Sequence, residues 1–316
     1  MTYAPDFFLV GAAKAGTTAL QQALDTHPEI YMSPLKEPNY FCDDIKVETL
    51  RKNVQKKIEA DNIPLWIKQG MKGFRWRAYL RDENLYKKLF DFARADQQKG
   101  EASVSYLYSK NASARIYEAN PNAKIIIVLR NPVERAFSHF KMEKRMGWLQ
   151  ENLSSAFERH KTNKQPKWGC DPLFLAGGLY AEQVERFHTK FPSNQLNIVW
   201  YEDLKKDPSG TLKKMFTFLG VDPTRIDTST VMTKSNEALE NKLEAIHQAL
   251  IPGATKVRFR RLLRKLGLHG HLKTHLTKPD ESKLSEEECS LLSEYYYDDI
   301  IQLENLLSVN LTAWKK

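Results

Sequence analysis

Residues 7–20 of the 316-residue chain read FFLVGAAKAGTTAL, a pattern that predicts a strand, a phosphate-binding loop and a helix. Residues 7–10 are all apolar, as in strands buried on both faces, and Gly11 comes where the backbone must turn. The predicted helix begins at Thr17, and its apolar residues share one face. Because the loop lies at a helix N-terminus, free backbone N–H groups and the helix dipole predict an anion site.

The loop has the glycine spacing of nucleotide-binding phosphate loops but a different lysine position. Gly11 and Gly16 match the pattern Gly-x-x-x-x-Gly-Lys-Ser/Thr, whereas Thr17 stands where that pattern has lysine. Lys14 carries the loop's positive charge two residues before the second glycine. A lysine at this position is expected to contact a bridging or terminal oxygen of an anhydride that is shorter than a triphosphate. A tight strand-to-helix turn without a ligand is the alternative for such a loop.

A second strand-to-helix segment, residues 124–138, reads KIIIVLRNPVERAFS. Asn131 is suited to cap the helix, and Pro132 is suited to its first turn. Arg130 therefore lies at the carboxyl end of a buried strand, where ligands of open α/β sheets bind.

Four segments, in matching order and spacing, resemble those of sulfotransferases that use 3′-phosphoadenosine 5′-phosphosulfate (PAPS). They are residues 11–18, 36–41 (KEPNYF), 100–107 (GEASVSYL) and 129–138. The chain is more similar to the carbohydrate and bacterial branch than to small phenol sulfotransferases, over about residues 7–220. This resemblance implies an α/β fold, with a central parallel sheet flanked by helices and a phosphate-binding loop after the first strand, as in P-loop NTPases. Since no linker or repeat is visible, we predict a single sulfotransferase domain over residues 1–316.

The resemblance also implies which residues bind the donor. The 5′-phosphosulfate loop corresponds to Lys14, Ala15, Gly16, Thr17 and Thr18, and the 3′-phosphate contacts correspond to Arg130 and Ser138. Lys273, in the basic stretch 256–278, is a candidate third contact, because relatives often cover the 3′-phosphate with a late basic loop. An amphipathic helix is the alternative for that stretch. Lys14 is also a candidate catalytic residue, since its charge would stabilise the leaving phosphate.

Glu37 corresponds to the family's general base, which takes the proton from the acceptor hydroxyl. A carboxylate within hydrogen-bond reach can do this, especially where desolvation raises its pKa. The alternative is a surface glutamate paired with Lys36.

One motif departs from the family pattern. Glycan-modifying relatives often have Glu-Lys-Ser/Thr-Pro, whereas Ala102 and Val104 replace the lysine and the proline here. A substrate-contacting lysine is thus missing, which disfavours a polyanionic glycan acceptor and leaves Glu101 and Ser103 as expected polar residues of the cleft.

The composition limits the partners. A net charge of +9 suits anionic ligands and does not by itself imply nucleic acid, which we do not expect as a partner. The three cysteines are scattered, which predicts a reducing, cytoplasmic location and neither a disulfide framework nor a metal site. No signal peptide is visible, and no apolar run approaches the about 18 residues needed to span a membrane.

The predicted reaction is in-line transfer of a sulfuryl group from PAPS to the hydroxyl of a sugar or small metabolite, without a metal. A P-loop kinase or NTPase is one alternative, and a non-catalytic nucleotide- or polyanion-binding protein is another. The sequence leaves the acceptor, the choice between O- and N-sulfation and the oligomeric state open.

Overall fold

Seven strands form two parallel sheets in the computed structural model, which describes residues 5–73, 75–227 and 283–315. The strands are β1 (Phe7–Gly11), β2 (Ile30–Met32), β3 (Leu35–Lys36), β4 (Arg75–Trp76), β5 (Gln98–Ala102), β6 (Lys124–Leu129) and β7 (Leu196–Trp200). The main sheet has the order β2-β5-β1-β6-β7, and β3 pairs with β4 in a separate two-stranded sheet. The predicted class, α/β with a central parallel sheet, is confirmed.

Strands β1 and β6 form the centre of the core because they carry apolar side chains on both faces. Every residue of β1 is buried, as are residues 125–129 of β6. Phe8 lies beside Ile125 of β6 on one side and Glu101 of β5 on the other. Gly100 in β5 leaves room for a neighbouring ring, since a β-carbon there would lie 2.1 Å from Cζ of Phe7.

Helices flank the main sheet. They are α1 (Thr17–Asp25), α2 (Lys52–Ala60), α3 (Ile63–Lys68), α4 (Glu83–Lys88), α5 (Ser105–Tyr108), α6 (Ala112–Ala119), α7 (Pro132–Arg145), α8 (Leu153–His160), α9 (Tyr180–His188), α10 (Tyr201–Lys206), α11 (Pro208–Leu219) and α12 (Glu286–Leu307). In the described ranges, no helix is both long and apolar enough to cross a membrane.

The turns from β1 into α1 and from β6 into α7 set the position of the site. The side chain of Asn131 caps α7 by accepting hydrogen bonds from the backbone N–H groups of Val133 and Glu134, and Pro132 occupies the first turn. The predicted cap is therefore confirmed. Because β1 and β6 are parallel neighbours, the N-termini of α1 and α7 lie at the same edge of the sheet.

The helix that follows β7 supports the site. α10 begins at Tyr201. Glu202, in its first turn, accepts a hydrogen bond from the backbone N–H of Asn131 at 2.8 Å, so it supports the turn that follows β6.

The C-terminal helix α12 packs against α7 and α9. It begins with a capping box, in which Ser285 and Glu288 each bond the other's backbone N–H. The Tyr296 hydroxyl donates to the carbonyl oxygen of Leu175 at 2.7 Å and fixes this helix on the domain. The basic stretch 256–278 lies outside the described residues.

Candidate active site

The phosphate loop connects β1 to α1 through residues 12–16. Gly16 precedes the helix with a φ of 84°, in the left-handed region that favours glycine. A β-carbon at this position would also lie 3.2 Å from Cε2 of Tyr201. The Ala12 N–H donates to the carbonyl oxygen of Val128 at 2.6 Å, which holds the loop against β6. The predicted strand, loop and helix are confirmed.

Lys14 lies in a strongly cationic part of the loop. Burial first, and then the charges of Arg145, Arg130 and Arg135, together lower the pKa of its ammonium group to about 8. Its backbone has a φ of 73°, an uncommon conformation for a residue with a β-carbon. Four positive side chains near a helix N-terminus are a suitable environment for a phosphosulfate group, so the residues fit PAPS.

Arg130 lies next to this loop, as predicted from its position after β6. One guanidinium nitrogen, Nη1, donates to the carbonyl oxygen of Lys14 at 3.4 Å, and Nη2 pairs with Glu134 at 2.9 Å. Its guanidinium carbon lies 4.7 Å from the centre of the Tyr201 ring. The two predicted anion-binding segments therefore touch each other.

Two further residues, Ser138 and Lys273, were predicted to contact the 3′-phosphate. Ser138 is half-buried on α7, the helix that follows Arg130. Lys273 lies outside the described residues.

Glu37 directly follows β3 and is almost completely buried. Its Oε2 atom accepts a hydrogen bond from Nε of Arg77 at 3.1 Å. The alternative of a surface glutamate paired with Lys36 is wrong, because Lys36 is buried too and its Nζ has no hydrogen-bond partner among the described residues. That ammonium group lies 5.7 Å from the centre of the Trp76 ring.

A buried row of charged and polar side chains on α7 was missed in the sequence. Arg135, His139 and Glu143 follow one another at intervals of four residues, a spacing that places them on one helix face and was the signal available. Nη1 of Arg135 lies 3.0 Å from Nδ1 of His139. Since an arginine only donates, Nδ1 accepts, and the neutral imidazole carries its proton on Nε2. Nε2 in turn lies 3.5 Å from Oε1 of Glu143.

The imidazole of His139 shows that the loop and the Glu37 region converge. Burial holds its pKa well below the usual range, and the charges of Arg135, Lys14 and Arg77 lower the pKa further. His139 also lines a small cavity with Ala12 and Ala13 of the loop. The cavity measures about 10 Å³, room for about one water molecule. Its aromatic wall consists of Tyr108 and Trp168.

Glu101 and Ser103 are not polar residues of the cleft, contrary to the expectation from the sequence. Both are completely buried, and the Ser103 hydroxyl donates to Oε1 of Glu101 at 2.6 Å. Oε2 accepts from the Tyr86 hydroxyl at 2.5 Å. Burial raises the pKa of the Glu101 carboxyl to about 7. The physical reason for the error is that Glu101 belongs to β5, whose neighbours cover it on both sides.

Comparison with known proteins identifies the family. The model of the sulfotransferase domain matches residues 4–286, so the chain belongs to the sulfotransferase family. The crystal structure of a sulfotransferase from Alicyclobacillus acidocaldarius has 27% sequence identity and a TM-score of 0.64, and the match covers 99% of each chain. The assignment of residues 1–316 to a single domain stays a prediction.

Curated relatives include glycan-modifying enzymes. Mouse carbohydrate sulfotransferase 15 is 24% identical over 259 residues, which are 73% of this chain and 46% of the relative. Human heparan sulfate glucosamine 3-O-sulfotransferase 6 is 26% identical over 219 residues, which are 69% of this chain and 52% of the relative. The chain thus spans about half the length of these curated relatives.

Proposed function

We propose that this sulfotransferase transfers the sulfuryl group of PAPS to a hydroxyl group of a carbohydrate or small-molecule acceptor. The observation that carries the proposal is the contact between Arg130 and the Lys14 carbonyl, which joins two anion-binding segments into one surface. PAPS has anionic groups at both its 5′ and 3′ positions, and such a surface matches that pair of groups.

Each donor-binding residue has a role that follows from its chemistry. The backbone N–H groups of residues 16–18 bind the 5′ end at the N-terminus of α1, whereas the N–H of Ala15 donates to the carbonyl oxygen of Ala12 at 3.2 Å. Lys14 stabilises negative charge that develops on the leaving oxygen, since its ammonium lies in the same loop. Arg130 binds the 3′-phosphate by exchanging the exposed Glu134 carboxylate for the phosphate, and Ser138 adds a hydrogen bond. Lys273 stays a predicted third contact.

Glu37 removes the proton from the acceptor. When bound, PAPS supplies the sulfuryl group, and the electron pair of its broken S–O bond stays with the departing phosphate. The Glu37 carboxylate accepts the hydroxyl proton as the acceptor oxygen becomes bonded to sulfur. Oε2 is bonded to Arg77, and Oε1 accepts no hydrogen bond from the described part of the protein, so Oε1 is the proton acceptor.

A carbohydrate acceptor is supported by the names of the relatives. The position of Lys14 disfavours the kinase alternative. A cytoplasmic location also stays a prediction, which fractionation of the producing cells would test.

The decisive experiment incubates the protein with ³⁵S-labelled PAPS and an extract of the producing cells, followed by mass analysis of the labelled product. We expect a sulfated product with the parental protein and less of it, in the same time, with the Lys14→Ala variant. A parallel incubation with γ-³²P-labelled ATP and magnesium tests the kinase alternative. Label from ATP in a product, with none from PAPS, would refute the proposal.

A further inference from the structure

Arg77 and Glu37 occupy equivalent positions at the ends of paired strands. The parallel register of β3 and β4 places Leu35 beside Arg75 and Lys36 beside Trp76, so the next residue of each strand is Glu37 or Arg77. The Arg77 N–H donates to the carbonyl oxygen of Lys36 at 2.7 Å, which extends the ladder by one residue. The register of the two strands therefore places the two side chains of the ion pair next to each other.

Both members of the pair have a strained backbone. Glu37 has a φ of 57° and Arg77 a φ of 64°, in the left-handed region that residues with a β-carbon rarely adopt. Such conformations persist only where the surroundings hold them in place, and they cluster at functional sites. Two strained residues that face each other across one ion pair indicate that the fold maintains this geometry.

Asn39 supplies the restraint. Its side-chain amide donates to the carbonyl oxygens of Glu37 at 2.8 Å and of Ala78 at 2.7 Å, and so ties the two strands together just beyond the pair. Asn39 is buried, and its own side-chain oxygen accepts a hydrogen bond from the Ser105 hydroxyl. The Glu37 N–H donates to the carbonyl oxygen of Ala102 at 3.0 Å, which fixes the pair to the main sheet.

The guanidinium contacts Glu37 through Nε, and this is its one hydrogen bond with the described residues. The Arg77 side chain is 32% exposed, whereas that of Glu37 is 5% exposed. The pair thus has one partly exposed member, Arg77, and one buried member, Glu37, whose carboxylate is held through Oε2.

We propose that Arg77 is a positioning residue for Glu37: its Nε–H holds Oε2 so that Oε1 is aimed at the acceptor hydroxyl. This inference rests on the proposed function, in which Glu37 is the general base. A misplacement of about 1 Å at a reacting group can cost about 100-fold in rate, so an aligning contact has a measurable effect.

The test is a double-mutant cycle with ³⁵S-labelled PAPS and an extract of the producing cells. Initial rates of label transfer are measured for the parental protein, Arg77→Ala, Glu37→Gln and the double variant. We expect Arg77→Ala to be about 10- to 100-fold slower. The double variant should match Glu37→Gln within about twofold, because Arg77 acts only through that carboxylate. Added guanidinium should restore part of the rate of Arg77→Ala and none of the rate of the double variant.

A control variant distinguishes this role from a general loss of stability caused by removing an ion pair. Arg225 pairs with Glu29 at 2.9 Å, just before β2 and so at the sheet edge opposite the site, and Arg225→Ala removes an ion pair there. It should transfer label at the parental rate. Affinity for 3′-phosphoadenosine 5′-phosphate (PAP) should be unchanged in Arg77→Ala and in Arg77→Lys, which shows that the proteins are folded.

Several results would overturn the inference. A parental rate in Arg77→Ala, or multiplicative losses in the double variant, would show that Arg77 does not act through Glu37 while leaving the sulfotransferase activity intact. Loss of PAP affinity in both Arg77 variants would assign the residue to the fold or the donor site. Absence of label transfer by the parental protein would refute the proposed function itself, and the role of Arg77 with it.

Discussion

Nη1 of Arg130 donates a hydrogen bond to the backbone carbonyl oxygen of Lys14 at 3.4 Å, across the gap between the two strand-to-helix turns. The distance is at the long end for a hydrogen bond, so the contact is weak. The pairing of β1 with β6 sets the spacing of the two anion-binding segments, and this contact shows how close together they lie. A ligand with two anionic groups at that spacing gains from both segments, whereas a ligand with one group gains from only one.

The first prediction concerns the 3′-phosphate. PAP should bind more tightly than AMP, because only PAP engages Arg130. Arg130→Ala should remove this preference and cost on the order of 1.5–3 kcal/mol of PAP binding, the usual contribution of a hydrogen bond to a charged group. Isothermal titration calorimetry with PAP and with AMP measures the two binding free energies for each protein. Arg94→Ala, which breaks an exposed pair with Asp96, is the control. An undiminished preference in Arg130→Ala would exclude Arg130 from the 3′-phosphate site.

The second prediction concerns the pH dependence of nucleotide binding. The pKa of Lys14 is lowered to about 8, so the ammonium form is lost as the pH rises through that value. PAP affinity of the parental protein should therefore fall above pH 8. Lys14→Arg should show a smaller fall, because arginine stays charged. Titrations of the parental protein and of Lys14→Arg with PAP, between pH 6.5 and pH 9.5, give the slope of affinity against pH for each protein. Equal slopes would show that Lys14 does not contact the bound nucleotide.

The third prediction concerns Glu37. Glu37→Gln keeps the shape of the side chain but cannot accept the proton, so transfer should slow by about 10²- to 10⁴-fold with PAP affinity unchanged. Lys14→Ala should reduce both the rate and the affinity. Single-turnover rates at saturating PAPS, with the acceptor identified from the labelled product, separate the two roles. Nearly parental transfer by Glu37→Gln would exclude Glu37 as the base and direct attention to His139, the neutral imidazole that lines the cavity.

The fourth prediction concerns stability. Burial raises the pKa of Glu101 from 4.5 to about 7, so the folded state holds a proton that the unfolded state has lost between these values. This contribution to the free energy of unfolding is complete below about pH 4.5 and is lost as the pH rises through 7. It amounts to roughly 3 kcal/mol, at about 1.4 kcal/mol per pKa unit.

Glu101→Gln removes that dependence, because an amide does not titrate. Between pH 5 and pH 8, the free energy of unfolding should fall less in Glu101→Gln than in the parental protein. Urea unfolding at both pH values measures the difference. Glu118→Gln changes an exposed carboxylate and should behave like the parental protein. Parallel pH profiles for Glu101→Gln and the parental protein would contradict the raised pKa.

The local features of the donor site could be predicted from the sequence because each depends on neighbouring residues. Four consecutive apolar residues, 7–10, are sufficient to indicate a buried strand, and the cap at Asn131 follows from its position before Pro132. The position of Arg130 beside the loop followed from the rule that ligands bind at the carboxyl ends of parallel strands.

The acceptor side could not be predicted to the same extent because it depends on contacts between distant residues. Arg77 is 40 residues from Glu37 in the sequence, and only the pairing of β3 with β4 brings them together. Glu101 was expected in the cleft because the motif names it, whereas its burial depends on Tyr86 and on the strands around β5. A motif identifies residue types, but burial is a property of the whole fold.

The separation of the two sheets has a consequence for how such a protein can change. The donor loop belongs to the five-stranded sheet, whereas Glu37 and Arg77 extend from the two-stranded sheet of β3 and β4. Backbone hydrogen bonds from Ser33 to Gly100 and from Glu37 to Ala102 tie this smaller unit to β5. The distance between the donor loop and Glu37 therefore depends on these bonds to β5, and a substitution that shifts β5 would change that distance.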